Sequence, residues 1–271
     1  MKEKYGEKMN KVIKQLGVFN EHIPFVKENR SYWLFRTNGG EYYDTFKEYG
    51  VIGLNYGRIP YFAISKIIVG VTNEKDRKTM LSKLVSTYYP DYKRPGYISS
   101  QILKFINELK TGDVILIPSF ESAMVTVGIV KENIVFEAKE VAPSLLNEKI
   151  SFLKKVEWKT MFYPSKADPE LYKMFFSHHP ISNANEYSHY INRILNPLYQ
   201  LEGVYYLSIH GGSETDMNGR ELFSTWEEIF DILDGFFDEE SIDAKSNEIN
   251  IKLRLQSAGV VEFITNNPYL I

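Results

Sequence analysis

The hydrophobic period of this chain changes after Gly112. Upstream, apolar residues recur at helical spacing. Downstream, Val114-Ile115-Leu116-Ile117, Met124 to Val130, Ile134 to Ala138 and Phe152 to Trp158 are four consecutive short apolar runs. Runs of this length read as strands, and strands that follow one another so closely pair into a small barrel or strongly curved sheet. Two earlier strands, Tyr32 to Arg36 and Val51 to Asn55, join them. Between these, Asn38-Gly39-Gly40 signals a turn, and Tyr42 to Tyr49 reads as a short helix stopped by Gly50. Residues 74–88 form a second helix, and a third follows Ser99-Ser100 as its cap, with Ile102, Phe105, Ile106 and Leu109 on one face. At the start of the chain, Val12, Ile13, Leu16 and Phe19 fit a short amphipathic helix.

The charge is split. Residues 1–165 carry 25 Lys+Arg and 18 Asp+Glu, a net of +7, whereas residues 166–271 carry 7 and 17, a net of −10. The sign changes where Pro164, Pro169 and Pro180 cluster. The expected organisation is therefore a barrel domain over 1–163, a linker over 164–182 and an acidic α/β domain over 183–271. The acidic part reads α-β-α-β-β: a helix from Asn183 or Asn185, a strand over Gly203 to Ile209, a loop at His210-Gly211-Gly212-Ser213, a helix over Leu222 to Phe237, and a hairpin built from Ile249 to Leu255 and Val260 to Ile264. The fold class is α+β: a small β-barrel with flanking helices, then a two-layer α/β domain.

A basic, aromatic-rich first part suits contact with an anion such as a nucleic acid. An acidic second part is repelled by that anion and suits contact with another protein or with itself. The chain has no cysteine, which removes disulfides, thiolate metal sites and a Cys nucleophile. The five histidines lack ligand spacing, and no P-loop, dinucleotide fingerprint or G-x-S-x-G occurs, so no metal or cofactor is expected. The lack of a signal-like or membrane-length apolar run leads us to expect a cytoplasmic protein.

The first part also carries an ordered set of short motifs. Trp33 and Arg36 sit on an opening strand, followed by Gly50-Val51-Ile52-Gly53-Leu54-Asn55-Tyr56-Gly57. Next come Lys110-Thr111-Gly112-Asp113-Val114 to Pro118, the strand Val127-Gly128-Ile129-Val130, and Val156-Glu157-Trp158. In this order, residues 31–160 resemble the PUA-like barrel superfamily, in particular EVE-like domains and the amino-terminal reader domains of Mrr-type restriction endonucleases. The apolar segment 57–73 departs from that pattern, and no nuclease domain is attached. The resemblance implies a non-enzymatic pocket that takes one flipped base, often modified, between aromatic side chains. It also implies a setting in bacterial restriction or antiviral defence, with a nuclease as partner. Tyr32, Trp33, Tyr56 and Trp158 would supply stacking, Asn55 and Ser119 donors and acceptors, and Arg36 a grip on phosphate or carbonyl. Taken singly, each has a plainer reading: Trp33 and Trp158 as barrel core, Arg36 paired locally.

Lys75, Lys78, Lys83, Arg94 and Lys104 would track a nucleic-acid backbone, although Glu74, Asp76, Asp91 and Glu108 are interspersed. Glu137-Ala138-Lys139 has the E-x-K spacing of restriction-type nuclease cores, with Asp113 as the convenient upstream acid, so a metal-dependent nuclease is one alternative. Two outward residues of a barrel strand explain the pair more simply. A protein- or nucleotide-binding component of a defence complex is the other alternative.

Overall fold

A computed structural model describes residues 23–138, 150, 152–210, 219–240, 244–254 and 260–267. These form a mixed α+β protein with two sheets, one of them a half-barrel. The chain divides into two compact units. One is Arg30–Tyr190, and the other joins the described residues up to Asn29 to those from Ile191 on.

The first unit is built on the sheet β3-β7-β5-β4-β2-β8. Strands β2 (Tyr32–Phe35) and β4 (Val114–Pro118) are buried at every position and pair in parallel, with Tyr32 opposite Val114. Continuous apolar runs suit such central strands, because both faces are covered. Strand β5 (Val125–Val130) runs antiparallel to β4, and the eleven-residue β7 (Phe152–Phe162) antiparallel to β5. The start of β7 also pairs with β3 (Val51–Gly53) and β6 (Phe136–Glu137). A bulge between Val127 and Gly128 lets β7 bend. Glycine is required there: a Cβ on Gly128 would lie 2.5 Å from the Trp158 ring and 2.9 Å from the Glu157 carbonyl oxygen.

Helix α1 (Tyr43–Tyr49) ends at Gly50, which adopts the left-handed cap at φ 61°. Helix α2 (Tyr61–Gly70) occupies the apolar segment that departs from the PUA-like pattern. Helix α3 (Glu74–Tyr88) starts at Asn73, whose side chain accepts the Asp76 N–H. Helix α4 (Pro95–Leu103) begins earlier than expected. Pro95 opens it, since a first-turn residue needs no N–H partner. Ser99 is not its cap: it is buried, donates to the Pro95 carbonyl and meets Ser82 Oγ at 3.1 Å, where α4 packs on α3. The last turn widens into a π-helix, Lys104–Glu108. Fully buried Lys154 donates to the Leu109 carbonyl at 2.6 Å just beyond it. Burial pulls the Lys154 ammonium down to about 8, with Lys110 adding to the shift and Asp113 opposing it. Phe35, Phe46, Phe105 and Phe152 form the centre of the core, in edge and tilted contacts of 5.6 to 6.1 Å.

The expected linker over 164–182 is part of this unit. Its first two prolines open 3-10 turns, Pro164–Lys166 and Pro169–Phe176, in which Leu171 and Met174 are buried. The segment then supplies β8 (Ile181–Asn183), antiparallel to β2. Divided this way, Arg30–Tyr190 carries 21 basic and 17 acidic residues, net +4, and the rest of the chain 11 and 18, net −7. The contrast in sign remains, but smaller.

The second unit has the sheet order β1-β9-β10-β12-β11. Strand β1 (Phe25–Val26) lies parallel to β9 (Leu198–Leu201), and β10 (Val204–His210), β11 (Asn250–Arg254) and β12 (Val260–Thr265) are antiparallel. Tyr199 stacks on its cross-strand neighbour Tyr206 with centroids 4.9 Å apart. Helix α5 (Ser188–Leu195) belongs to it from Ile191 on, α6 (Gly219–Glu240) completes it, and Trp226 of α6 meets Phe263 of β12 edge-on at 5.1 Å. The expected αβαββ order lacked β1 and β9. The expected helix around Val12 to Phe19, residues 211–213 and the turn 257–259 lie outside the described residues.

Candidate functional site

The motif residues of the half-barrel are mostly its internal fastenings. Trp33 is buried, and its Nε1 donates to Asp113 Oδ2 at 3.0 Å. That carboxylate also accepts the backbone N–H groups of Ser31 (3.1 Å) and Lys110 (2.9 Å). Asp113 therefore closes the turn at Gly112 (φ 91°) and locks β4 to β2. Tyr32 is buried, its N–H donating to Asn185 Oδ1 at 2.8 Å. Trp158 is half-buried against the core and donates to the Phe46 carbonyl at 3.0 Å. Arg36 donates to the carbonyls of Phe175 and Ser177, and its backbone N–H to Pro180, so it clamps the segment leading to β8. Tyr32, Trp33, Arg36 and Trp158 are each engaged within the fold. A Trp or Arg in an apolar strand is held by whatever buried acceptor the fold offers, and here each has one.

Asn55 and Ser119 belong to two other segments, the turn after β3 and the β4–β5 hairpin. Asn55 donates to the Tyr42 hydroxyl at 2.8 Å, which Asn38 also approaches. Ser119 Oγ accepts the Met124 N–H at 2.9 Å within the β4–β5 hairpin. A Cβ on Gly40 would lie 2.5 Å from the Phe120 nitrogen, so the Asn38–Tyr42 turn touches this hairpin. Asn38, Glu121 and Ser122 all take left-handed φ angles there.

Tyr56 stands in the most distinctive cluster. Ring contacts place it 6.5 Å from Tyr89, edge to face. Burial raises the pKa of its phenol above the ordinary range, and the neighbouring phenols of Tyr97, Tyr92 and Tyr89 push it further. Three chain segments meet here. The turn after β3 brings Tyr56 and Arg58, the α3–α4 connection brings Tyr89, Tyr92, Lys93, Arg94 and Tyr97, and the segment before β8 brings His179. The Arg58 guanidinium sits 5.3 Å over the Tyr89 ring, while its backbone N–H donates to the Tyr89 hydroxyl at 3.3 Å. The Tyr97 hydroxyl meets His179 Nδ1 at 3.1 Å. Tyr56, Tyr89 and Tyr97 are half-buried, Tyr92 is 42% exposed, and Arg58, Lys93 and Arg94 are exposed around them. The phenols of Tyr89 and Tyr97 are also raised by burial, so these tyrosines are neutral O–H donors at neutral pH. Flat faces, neutral donors and a guanidinium-rich rim suit a planar ligand that carries negative charge nearby.

Of this cluster, the sequence motifs point to Tyr56 and Arg94 but not to Tyr89, Tyr92, Tyr97, Arg58 or His179. The signal was present: residues 88–97 read Tyr-Tyr-Pro-Asp-Tyr-Lys-Arg-Pro-Gly-Tyr. Of the other backbone candidates, Lys75, Lys78 and Lys83 are exposed on α3, and Lys104 lines a small polar cleft with His179, Ser177 and Ser182. The nuclease alternative meets an obstacle, because Asp113 is buried with its oxygens given to three N–H groups. Glu137 lies on β6 opposite Phe152, and Lys139 lies outside the described residues. Among the described residues, no three His, Asp or Glu side chains are grouped to hold a metal ion, and no helix is long and apolar enough to cross a membrane. No protein-family model, curated protein or solved structure matches this chain.

Proposed function

We propose that Arg30–Tyr190 is a nucleic-acid-binding module that stacks an unpaired base on the tyrosine cluster and holds the adjoining phosphates with Arg58, Lys93 and Arg94. The observation that carries this reading is the convergence of Tyr56, Tyr89, Tyr92 and Tyr97 inside a basic rim. Aromatic platforms take any base face at roughly 1–3 kcal/mol each, and a basic rim adds phosphate contacts that release counterions. The PUA-like resemblance of residues 31–160, including its readers of modified bases, supports the same ligand class. The base site is assigned to the helical turn rather than to the barrel strands, whose Trp33 and Trp158 already have buried partners.

The test is fluorescence anisotropy with labelled single- and double-stranded DNA and RNA, modified and unmodified, at two salt concentrations. Single strands are expected to bind best. Tyr92→Ala, at an exposed ring, should weaken binding about tenfold, the equivalent of ~1.4 kcal/mol. Arg58→Ala with Arg94→Ala should weaken all sequences alike and flatten the salt slope. A folded Tyr92→Ala protein that binds as wild type, or a wild type that binds none of these probes, contradicts the proposal.

A further inference from the structure

The second unit has a groove that the nucleic-acid reading leaves unused. It runs along α6, lined by Phe223, Trp226 and Phe230 on the helix and Ile251 on β11, and its volume is ≈ 550 Å³. Phe223, Trp226 and Phe230 follow helical spacing and share one face. Glu227 and Asp231, one turn apart, form an exposed acidic edge beside that floor. Helix α6 as a whole carries eight acidic residues and one arginine. The third acid of the groove, Asp234, is already engaged: it accepts both the backbone N–H and the hydroxyl of Ser246, which pins the 3-10 turn Ser246–Glu248 against the helix. Phe223 is 66% exposed, an apolar ring held in water at the open end. Deeper in, the Trp226 indole N–H is buried with no acceptor among the described residues, a defect that an incoming oxygen would repair.

We infer that this groove is a docking site for a basic amphipathic helix of a partner protein. The floor takes apolar anchors at i, i+3 or i+4, and i+7, as in other helix-in-groove complexes, and Glu227 and Asp231 pair with the flanking Lys or Arg. From Phe223 to Asp234 the groove spans about 16 Å, three helical turns. The charge selects the occupant. Nucleic acid and anionic membranes are repelled by α6, and a neutral apolar helix would leave Glu227 and Asp231 without partners at the contact.

The experiment uses the full chain and synthetic labelled peptides. One is a Lys-rich amphipathic helix with Leu and Phe anchors at that spacing. The second has the same composition scrambled, and the third replaces Lys by Glu. The first should bind, at least tenfold more tightly than the other two, and its affinity should fall as salt rises. Phe223→Asp and Asp231→Lys, both at exposed positions, should each weaken it tenfold or more. Asp238→Lys, on the same helix outside the groove, should leave it unchanged. Equal binding of the scrambled peptide, wild-type affinity in both groove variants, or no binding overturns the inference. So does concentration-dependent self-association that Phe223→Asp abolishes, since the occupant is then a second copy of this chain.

Discussion

Asp113 shows how a motif can be visible while its role is not. The Lys-x-Gly-Asp-x-Val pattern stands out in the sequence, and the acid in it also suits a nuclease reading. In the fold, its carboxylate satisfies Ser31, Lys110 and the Trp33 indole. Asp113→Ala leaves three donors short of an acceptor and should cost about 3 kcal/mol in urea unfolding. A loss below about 1 kcal/mol would show that these bonds do not fasten the sheet. Lys154 gives the opposite kind of test. In the fold its ammonium titrates near pH 8, against an ordinary value of 10.5. Below pH 8 both folded and unfolded chains are protonated at this site, and the full cost of the buried charge is present. Between pH 8 and 10.5 the unfolded chain holds the extra proton, so the contribution of this site to stability rises with pH, by about 3 kcal/mol in all. Wild type should therefore gain on Lys154→Met by about that amount between pH 7 and pH 10.5. A pH-independent difference between the two proteins contradicts a buried, depressed lysine. Neither role was legible, because a lysine in an apolar strand gives no sign of which carbonyls surround it.

Elements were legible where they were long or clearly punctuated. Helix α3, the Gly50 stop and the apolar runs of β2, β4 and β5 follow directly from hydrophobic period and turn chemistry. Strands β1, β8 and β9, of two to four residues, are too short for alternation to show, and β8 sits in a stretch whose prolines mimic a linker. The glycines separate two physical cases. Gly128→Ala forces a methyl into the Trp158 ring and a carbonyl, and should cost about 2–3 kcal/mol. Gly235→Ala, inside α6 with open space around its Cβ position, should stabilise by up to about 1 kcal/mol. Thermal melts of the two variants should move in opposite directions. Shifts of the same sign would mean that the bulge at Gly128 yields more easily than its contacts imply.

For the whole molecule, the sign contrast was legible but its boundary was not. Asp168, Glu170 and Glu186 are acidic, yet they lie in the basic unit, because β8 completes its sheet and Arg36 ties the segment down. The chain's first described strand pairs with β9, at the other end of the sequence. Residues 30–190 expressed alone should therefore melt cooperatively. Residues 166–271 alone, lacking β1 and carrying β8 away from β2, should not. Cooperative melting of both fragments would support the boundary expected from charge instead. The candidate site is half legible for a related reason: the density of aromatics shows in the sequence, but the meeting of residue 56 with residues 89–97 is a tertiary fact. The measurement that bears most directly on it is photocrosslinking of the full chain to a single-stranded oligonucleotide bearing a halogenated pyrimidine, with the attachment site read by mass spectrometry. Such probes couple to the aromatic side chain on which the base is stacked. The account predicts attachment at Tyr56, Tyr89, Tyr92 or Tyr97, lost in Tyr92→Ala or moved to a neighbouring ring of the cluster. Attachment to the Tyr199–Tyr206 stack of the second unit, or to aromatics at the Phe120 loop, would contradict it.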